Sequence, residues 1–258
     1  MRTKAALAIL IILCSFSGLL AESVDVNHFL LMPTASGTSG YIDNPAAYVL
    51  ASKQFTLALH MDTYVFKFNY GFLNIMEAGT VINFGHLSDI VNGSKDAGFW
   101  DSFRVFFDAV SESTAFDFKW RAIGEEDYPV SVAFGVKKFP LSMFESGPWN
   151  SFAVYGVASR KINDMSFSAG MKKTVGHDYM GFIADASKVV SDTVLLIGEY
   201  DENQFNAGVK MSLNYNVNVE FYVRDILNVY KAGEIGEFLR SYFIFGISFW
   251  IYSNKISK

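Results

Sequence analysis

Along most of this chain, apolar and polar residues alternate strictly in runs of roughly ten positions. From Thr114 to Arg121, Phe116, Phe118 and Trp120 hold one parity and Asp117, Lys119 and Arg121 hold the other. A strand sends successive side chains to opposite faces, so this run carries one aromatic face and one charged face. Val217, Val219, Phe221 and Val223 alternate in the same way with Asn218, Glu220, Tyr222 and Arg224. Phe205, Ala207, Val209, Met211 and Leu213 oppose Asn206, Lys210 and Ser212. A helix would space its apolar positions by three and four, which these runs do not.

Read this way, the chain predicts twelve strands, near 54–62, 64–70, 75–85, 113–122, 129–139, 149–160, 164–173, 178–188, 193–201, 204–213, 216–226 and 240–252. About 9 to 11 tilted residues suffice to cross a bilayer. Every second connection is short and turn-like: Gly71 to Asn74, Gly124 to Asp127, Ile162 with Asn163, Val189 to Asp192, and Asn214 with Tyr215. The connections between them include the two longest, His86 to Glu112 and Leu227 to Leu239. Short turns on one side and long loops on the other characterise outer-membrane barrels. A sheet in hydrocarbon must also close on itself, because unpaired backbone groups at an open edge cost several kcal/mol each. The expected fold is therefore all-β: an antiparallel up-and-down transmembrane β-barrel of about twelve strands. Tyr70, Phe72, Trp120, Tyr128, Tyr215, Trp250 and Tyr252 would form an interfacial girdle at the short-turn end. A soluble barrel with its apolar face turned inward is the competing reading.

In the first long loop, Phe103, Phe106, Phe107 and Val110 follow Asp101 at helical spacing, which predicts one short amphipathic helix. Those four residues would pack on the barrel rim or fold into the lumen as a lid.

The first residues add an address. Arg2 and Lys4 precede an apolar run from Ala5 to Leu20 and a small residue, Ala21, which is the layout of a cleaved signal peptide over 1–21. The run is short of the about 20 residues a spanning helix needs. Residues 22–258 then form a single barrel domain, with a lead-in over 22–53 and strands over 54–252. Cys14 is the one cysteine, and Leu13 stands where a lipidation signal carries a small residue, so lipid attachment is not expected. Charged residues make up 18% of the chain, against about 25% for soluble domains, and aromatics 16%. Something other than water covers part of such a surface. Outer-membrane lipid of a diderm bacterium is the expected partner. A net charge of −5 without a basic cluster excludes nucleic acid.

Little here points to chemistry. The histidines are His28, His60, His86 and His177; His60 and Asp62 share strand parity, but no nucleophile motif accompanies them. No catalytic residue, metal ligand set or cofactor site is predicted. What remains is the polar face: Glu77, Asp117, Lys119, Arg121, Lys137, Arg160, Lys172, Glu199, Asp201, Lys210, Glu220 and Arg224. With lipid outside, these residues would line the lumen, either as mutually compensating charges or as contacts for a polar solute.

Four stretches carry a family resemblance: MPTASGTSGYIDNPAAYVLASKQFTLALH from Met32, FNYGFLNIMEAGTVI from Phe68, SVAFGVKKF from Ser131 and GEYDENQFNAGVKMSL from Gly198. They resemble the YjbH-type outer-membrane barrels encoded with exopolysaccharide genes. The resemblance implies an envelope barrel associated with polysaccharide secretion, with polysaccharide or envelope secretion proteins as partners, and it carries over no catalytic residue. The function expected is thus a non-enzymatic outer-membrane barrel supporting exopolysaccharide export or envelope organisation. A narrow porin-like channel for small polar solutes and an outer-membrane enzyme acting on lipid or glycan are the alternatives.

Overall fold

In a computed structural model the described residues are 29–34, 38–61, 64–85, 88, 99–140, 152–214, 216–232 and 235–252. The signal peptide, His28, Asp62, His86 and Tyr215 fall outside them, as do the side chains of Phe103 and Tyr252. Twelve antiparallel strands among these residues make one closed barrel: β1 (Gln54–His60), β2 (Val65–Phe72), β3 (Met76–Asn83), β4 (Thr114–Ile123), β5 (Ser131–Pro140), β6 (Ala153–Ile162), β7 (Met165–Thr174), β8 (Gly181–Ser191), β9 (Val194–Asp201), β10 (Gln204–Asn214), β11 (Val217–Val223) and β12 (Phe243–Tyr252). Each strand pairs with its neighbours in sequence, and β1 meets β12 in a seven-residue register from Gln54↔Tyr252 to His60↔Gly246. The twelve strands fall where the alternation places them.

The parity of the wall follows the sequence in β4, where Phe116, Phe118 and Trp120 are exposed while Asp117 and Lys119 are buried. Neighbouring exterior rings touch across the ladders, as in Phe72 with Phe118 at 6.2 Å and Trp120 with Phe134 at 6.3 Å. Large apolar side chains turned outward on strand after strand would be costly in water and match hydrocarbon. The apolar-inward soluble barrel is thereby set aside. Among the described residues no helix is long and apolar enough to cross a membrane.

Turn chemistry supports the register. Between β2 and β3, Leu73 and Asn74 both take left-handed φ, near 57° and 58°, and Asn163 does so between β6 and β7. Asparagine tolerates that region better than most residues because its short amide bonds locally. A bulge in β4–β5 places Lys138 at φ 54°, and Asp117 accepts the Lys138 N–H at 2.6 Å.

Two sequence expectations need correction. Trp250 does not join the girdle: it faces inward, buried against Met32 and Leu50. Arg160 faces outward, because β6 inverts the usual parity and buries Ala153, Tyr155, Val157 and Ser159.

Helix α1 (Phe99–Ser113) leads into β4, and a 3-10 turn (Ile226–Lys231) with helix α2 (Ile235–Ser241) precedes β12. Among the described side chains of α1, Ala109 and Ser113 are buried, while Phe106 and Phe107 are 47% and 55% exposed and meet edge to face at 5.9 Å. Phe106 and Phe107 of the expected stripe are thus turned to the outside, while Val110 is half-buried.

Phe118 lies mid-strand on the lipid face. Phe118→Arg is expected to destabilise the barrel by about 2 to 4 kcal/mol in a lipid folding assay. Arg160→Ala, at the short-turn end, should be close to neutral in the same assay.

Candidate functional site: a filled lumen

The lumen is occupied by the chain's own residues 29–34 and 38–50. Phe29, Leu30, Met32, Tyr41, Ile42, Ala46, Ala47 and Leu50 have no solvent exposure. The segment doubles back on itself through its own bridges, Pro33↔Ser39 and Gly40↔Pro45. Thr34 N–H donates to Thr38 O at 2.9 Å and Tyr41 N–H to Asn44 O at 3.0 Å. Pro33 and Pro45 suit such turns by fixing φ. A Cβ at Gly40 would lie 2.4 Å from Asn44 O, so only glycine lets the segment double back this closely. At the short-turn mouth a Cβ on Gly71 would lie 2.5 Å from Leu50 O, and Gly71 O accepts the Lys53 N–H at 2.9 Å. Gly71 lets the lead-in pass over the barrel rim and join β1.

The charged wall grips this plug through its main chain. Glu199 receives the N–H groups of Ile42 at 3.0 Å, Asp43 at 2.8 Å and Asn44 at 2.9 Å, and the Asn206 amide at 2.7 Å. Glu77 accepts the Ser39 N–H at 2.8 Å, the Ser39 hydroxyl at 2.7 Å and the Leu50 N–H at 3.3 Å. Lys119 donates to Ser39 O at 3.0 Å and Ala46 O at 3.3 Å, and it stands 3.5 Å from Glu77. Lys210 donates to Phe29 O at 3.1 Å and Gly40 O at 3.0 Å. Lys67 and Lys137 reach Thr34 O and Asp43 O. A buried charge without partners is costly, and a buried amide without an acceptor costs about 1 to 3 kcal/mol. Wall and plug each supply what the other lacks.

The long-loop mouth carries a side-chain pair as well. Arg224 forks onto Asp43, Nε to Oδ2 at 2.8 Å and Nη2 to Oδ1 at 2.9 Å. Burial alone would raise the Asp43 carboxyl, but the Arg224 guanidinium, with Lys137 behind it, holds it well below the usual carboxylate range. Asn44 donates its amide to Asp185 at 2.9 Å. Deeper in, the Tyr41 hydroxyl meets Ser166 and Ser168, each at 2.9 Å, and burial pushes its phenol far up. Near the short turns Ala47 N–H donates to Ser159 at 2.8 Å, and Tyr48 donates to Glu125 at 3.2 Å.

Apolar contacts complete the fit. Phe29, Leu30, Tyr41, Ile42 and Tyr48 cluster with Leu195, Ile197, Tyr222 and Ile244 of the wall. Ala47 packs with Ala133, Tyr155 and Val157. Fully burying a side chain such as Leu30 or Ile42 is worth about 1.5 to 3 kcal/mol.

The residues expected to line the lumen therefore divide by position. Glu77, Asp117, Lys119, Lys137, Glu199, Lys210 and Glu220 are buried inside. Asp201 sits at the long-loop mouth, bonded to Lys172 at 2.5 Å. Arg224 sits at the same mouth, while Arg121 lies at the short-turn end on Glu126, 3.1 Å away. The helix with Phe106 and Phe107 does not fill the lumen; the plug does. His60 pairs with Glu220 at 2.9 Å, and Tyr222 and Ser248 each donate to that carboxylate at 2.6 Å. These hydroxyls are directed at the carboxylate, an arrangement that fixes the wall. Among the described residues no three of His, Cys, Asp or Glu gather as a metal site would require.

The plug residues escaped the sequence reading. Their one visible trace was on the wall: inward apolar positions such as Tyr155, Val157, Leu195, Ile197 and Trp250 have no place in a watery lumen.

No protein-family model and no curated protein matches the chain. Three solved structures align with it at low similarity. The KdgM porin in complex with disordered oligogalacturonate aligns with a TM-score of 0.45 at 10% identity, covering 78% of this chain and 99% of that one. Outer membrane phospholipase A from Escherichia coli aligns at 0.38 and 11% identity, covering 78% and 90%. A loop-deletion mutant of OmpT, an outer membrane protein of Vibrio cholerae, aligns at 0.27 and 11% identity, covering 76% and 95%. At this distance the likeness says nothing of ligand or activity.

The grip of Glu199 gives a direct prediction. Glu199→Ala strands three buried N–H groups, so amide exchange at residues 42–44 should quicken at least tenfold while exchange in the strands stays slow. Unchanged protection at 42–44 would mean that the carboxylate does not hold the loop.

Proposed function

We propose that this chain is a non-enzymatic outer-membrane barrel of a diderm bacterium, closed at rest by its own N-terminal segment and serving the envelope rather than general uptake. The observation that carries the reading is the occupied lumen. Contacts run from Leu50 over Gly71 at the short-turn mouth to Asp43 on Arg224 at the long-loop mouth. An open porin keeps a water-filled interior, whereas here the wall charges are spent on the plug's main chain. The wall carboxylates and serine hydroxyls described above are likewise engaged in holding structure, which favours a scaffold over a hydrolase. The link to polysaccharide export rests on the resemblance of the Met32, Phe68, Ser131 and Gly198 stretches to the YjbH-type barrels.

Two measurements test this. The mature protein in a planar bilayer should give no steady conductance, and a variant lacking residues 29–51 should conduct; a steadily conducting intact protein would refute the closed state. Removal of the gene from its host should lower secreted polysaccharide without altering uptake of small sugars. The opposite pattern would move the function to solute transport.

A further inference from the structure

The outer face of β6, β7 and β8 carries two cations on a wall where apolar residues are the rule. Arg160 of β6 and Lys188 of β8 are both exposed there. The ladders pair Arg160 with Phe167, Phe167 with Ala186 and Met165 with Lys188. Adjacent strands lie about 4.8 Å apart and successive residues about 3.4 Å, so the two cationic stems start about 12 Å apart, on either side of Phe167. Both stand close to short turns, since β6 ends at Ile162 and β8 at Ser191. A cation is costly at the bilayer midplane but tolerated at headgroup level, to which a long stem can reach.

The protein does little to neutralise them. Among the described residues Arg160 makes no hydrogen bond or ion pair, and Lys188 comes within 4.0 Å of Asp164, with both side chains more than half exposed. Glu126 is held by Arg121, and Glu125 accepts from the Tyr48 hydroxyl and the Lys161 N–H. Arg160 is thus open to an anion from outside the chain. Toward the midplane the next outward row is Ala158, Ala169 and Ala184, with Met171 and Phe182 beyond it. These small side chains lower the apolar wall beside the cations.

Resting on the outer-membrane reading, in which the short turns face the periplasm, we propose that this face binds one anionic phospholipid of the periplasmic leaflet. Arg160 and Lys188 hold its phosphate, and its acyl chains lie over Phe167 and the alanine row. Charge selects the lipid. A guanidinium offers a phosphate two parallel N–H groups, whereas a zwitterionic headgroup brings an ammonium that both cations repel. The face is continuous with the aromatic wall that already meets lipid, so the site needs no surface uncovered to form.

The test is native mass spectrometry of the intact protein, released from detergent micelles that carry phosphatidylglycerol or phosphatidylcholine. The parent should take up its first phosphatidylglycerol about twenty-fold more tightly than phosphatidylcholine, each cation being worth about a factor of five toward an anionic lipid. Arg160→Ala and Lys188→Ala should each lose about fivefold of that preference and the double variant nearly all of it. Arg160→Lys should keep most of it, and Lys173→Ala, at the long-loop end, should keep it whole. An unaltered preference in the double variant overturns the site. So does a dimer of the parent that the double variant loses, since the face would then belong to a second copy. Heat-dependent electrophoretic mobility after insertion into phosphatidylcholine vesicles should match the parent in every variant, which shows that the barrel has folded. A parent that never inserts would end the outer-membrane reading and the site with it, whereas an inserted parent that prefers neither lipid ends the site alone.

Discussion

An ionised side chain shut away from bulk water must find partners, and this barrel turns a full set of them inward. Hydrocarbon outside turns the apolar parity of strands such as β4 outward, so Lys67, Lys119 and Lys210 and the carboxylates of Glu77, Glu199 and Glu220 have nowhere else to go. Some compensate one another directly, as Lys119 and Glu77 do in adjacent positions of the β3–β4 ladder. The rest need outside help. The looped segment from Phe29 to Ala51 supplies it, because a chain without regular secondary structure carries unpaired carbonyls and amides in need of partners of their own. Plug and wall thus solve one another's desolvation problem. That reciprocity explains why main-chain atoms dominate their contact.

The same constraint decides what could be read from the sequence. Strands such as β4 and β11 declare themselves because their two faces meet different solvents, and Phe118 beside Lys119 is enough to set the parity. Closure and strand order then follow, since a spanning sheet has no tolerable edge. The plug was illegible for the complementary reason. Pro33, Gly40, Asn44 and Pro45 read as turn chemistry, and turn chemistry reports local geometry without saying where the loop lies. Its apolar residues, Phe29 to Met32, show no strand period and read only as part of the lead-in to β1. Only the wall retains a hint: Tyr155 and Val157 in β6 and Leu195 and Ile197 in β9 put bulk where water was expected. A strand with the plug on one face and lipid on the other loses its apolar alternation, as the run Val194 to Ile197 does, with Leu195 and Ile197 inward and Leu196 outward. The misassigned Arg160 and Trp250 share that origin.

The loop helix shows a different failure. Helical spacing of Phe103, Phe106, Phe107 and Val110 was correct, but periodicity fixes a helix and its faces without naming the partner of each face. In a soluble protein the aromatic face would be the buried one. Beside a bilayer, exposed Phe106 and Phe107 sit at the end of the lipid-facing wall, and the smaller Ala109 and Ser113 allow close approach to the barrel. Outward aromatics carry the opposite meaning once the solvent changes.

The central claim is that residues 29–34 and 38–50 lie inside the barrel, and distance across the plug–wall contact tests it most directly. Cys14 is the one cysteine of the sequence, so replacing it leaves no competing thiol. Ala47 N–H meets the Ser159 hydroxyl at 2.8 Å, whereas Ala158, one residue away, faces outward. Mild oxidation of the folded protein should link Ala47→Cys to Ser159→Cys within minutes and leave Ala47→Cys paired with Ala158→Cys unlinked. Equal rates for the two pairs, or no link in either, would place the segment outside the lumen and contradict the account.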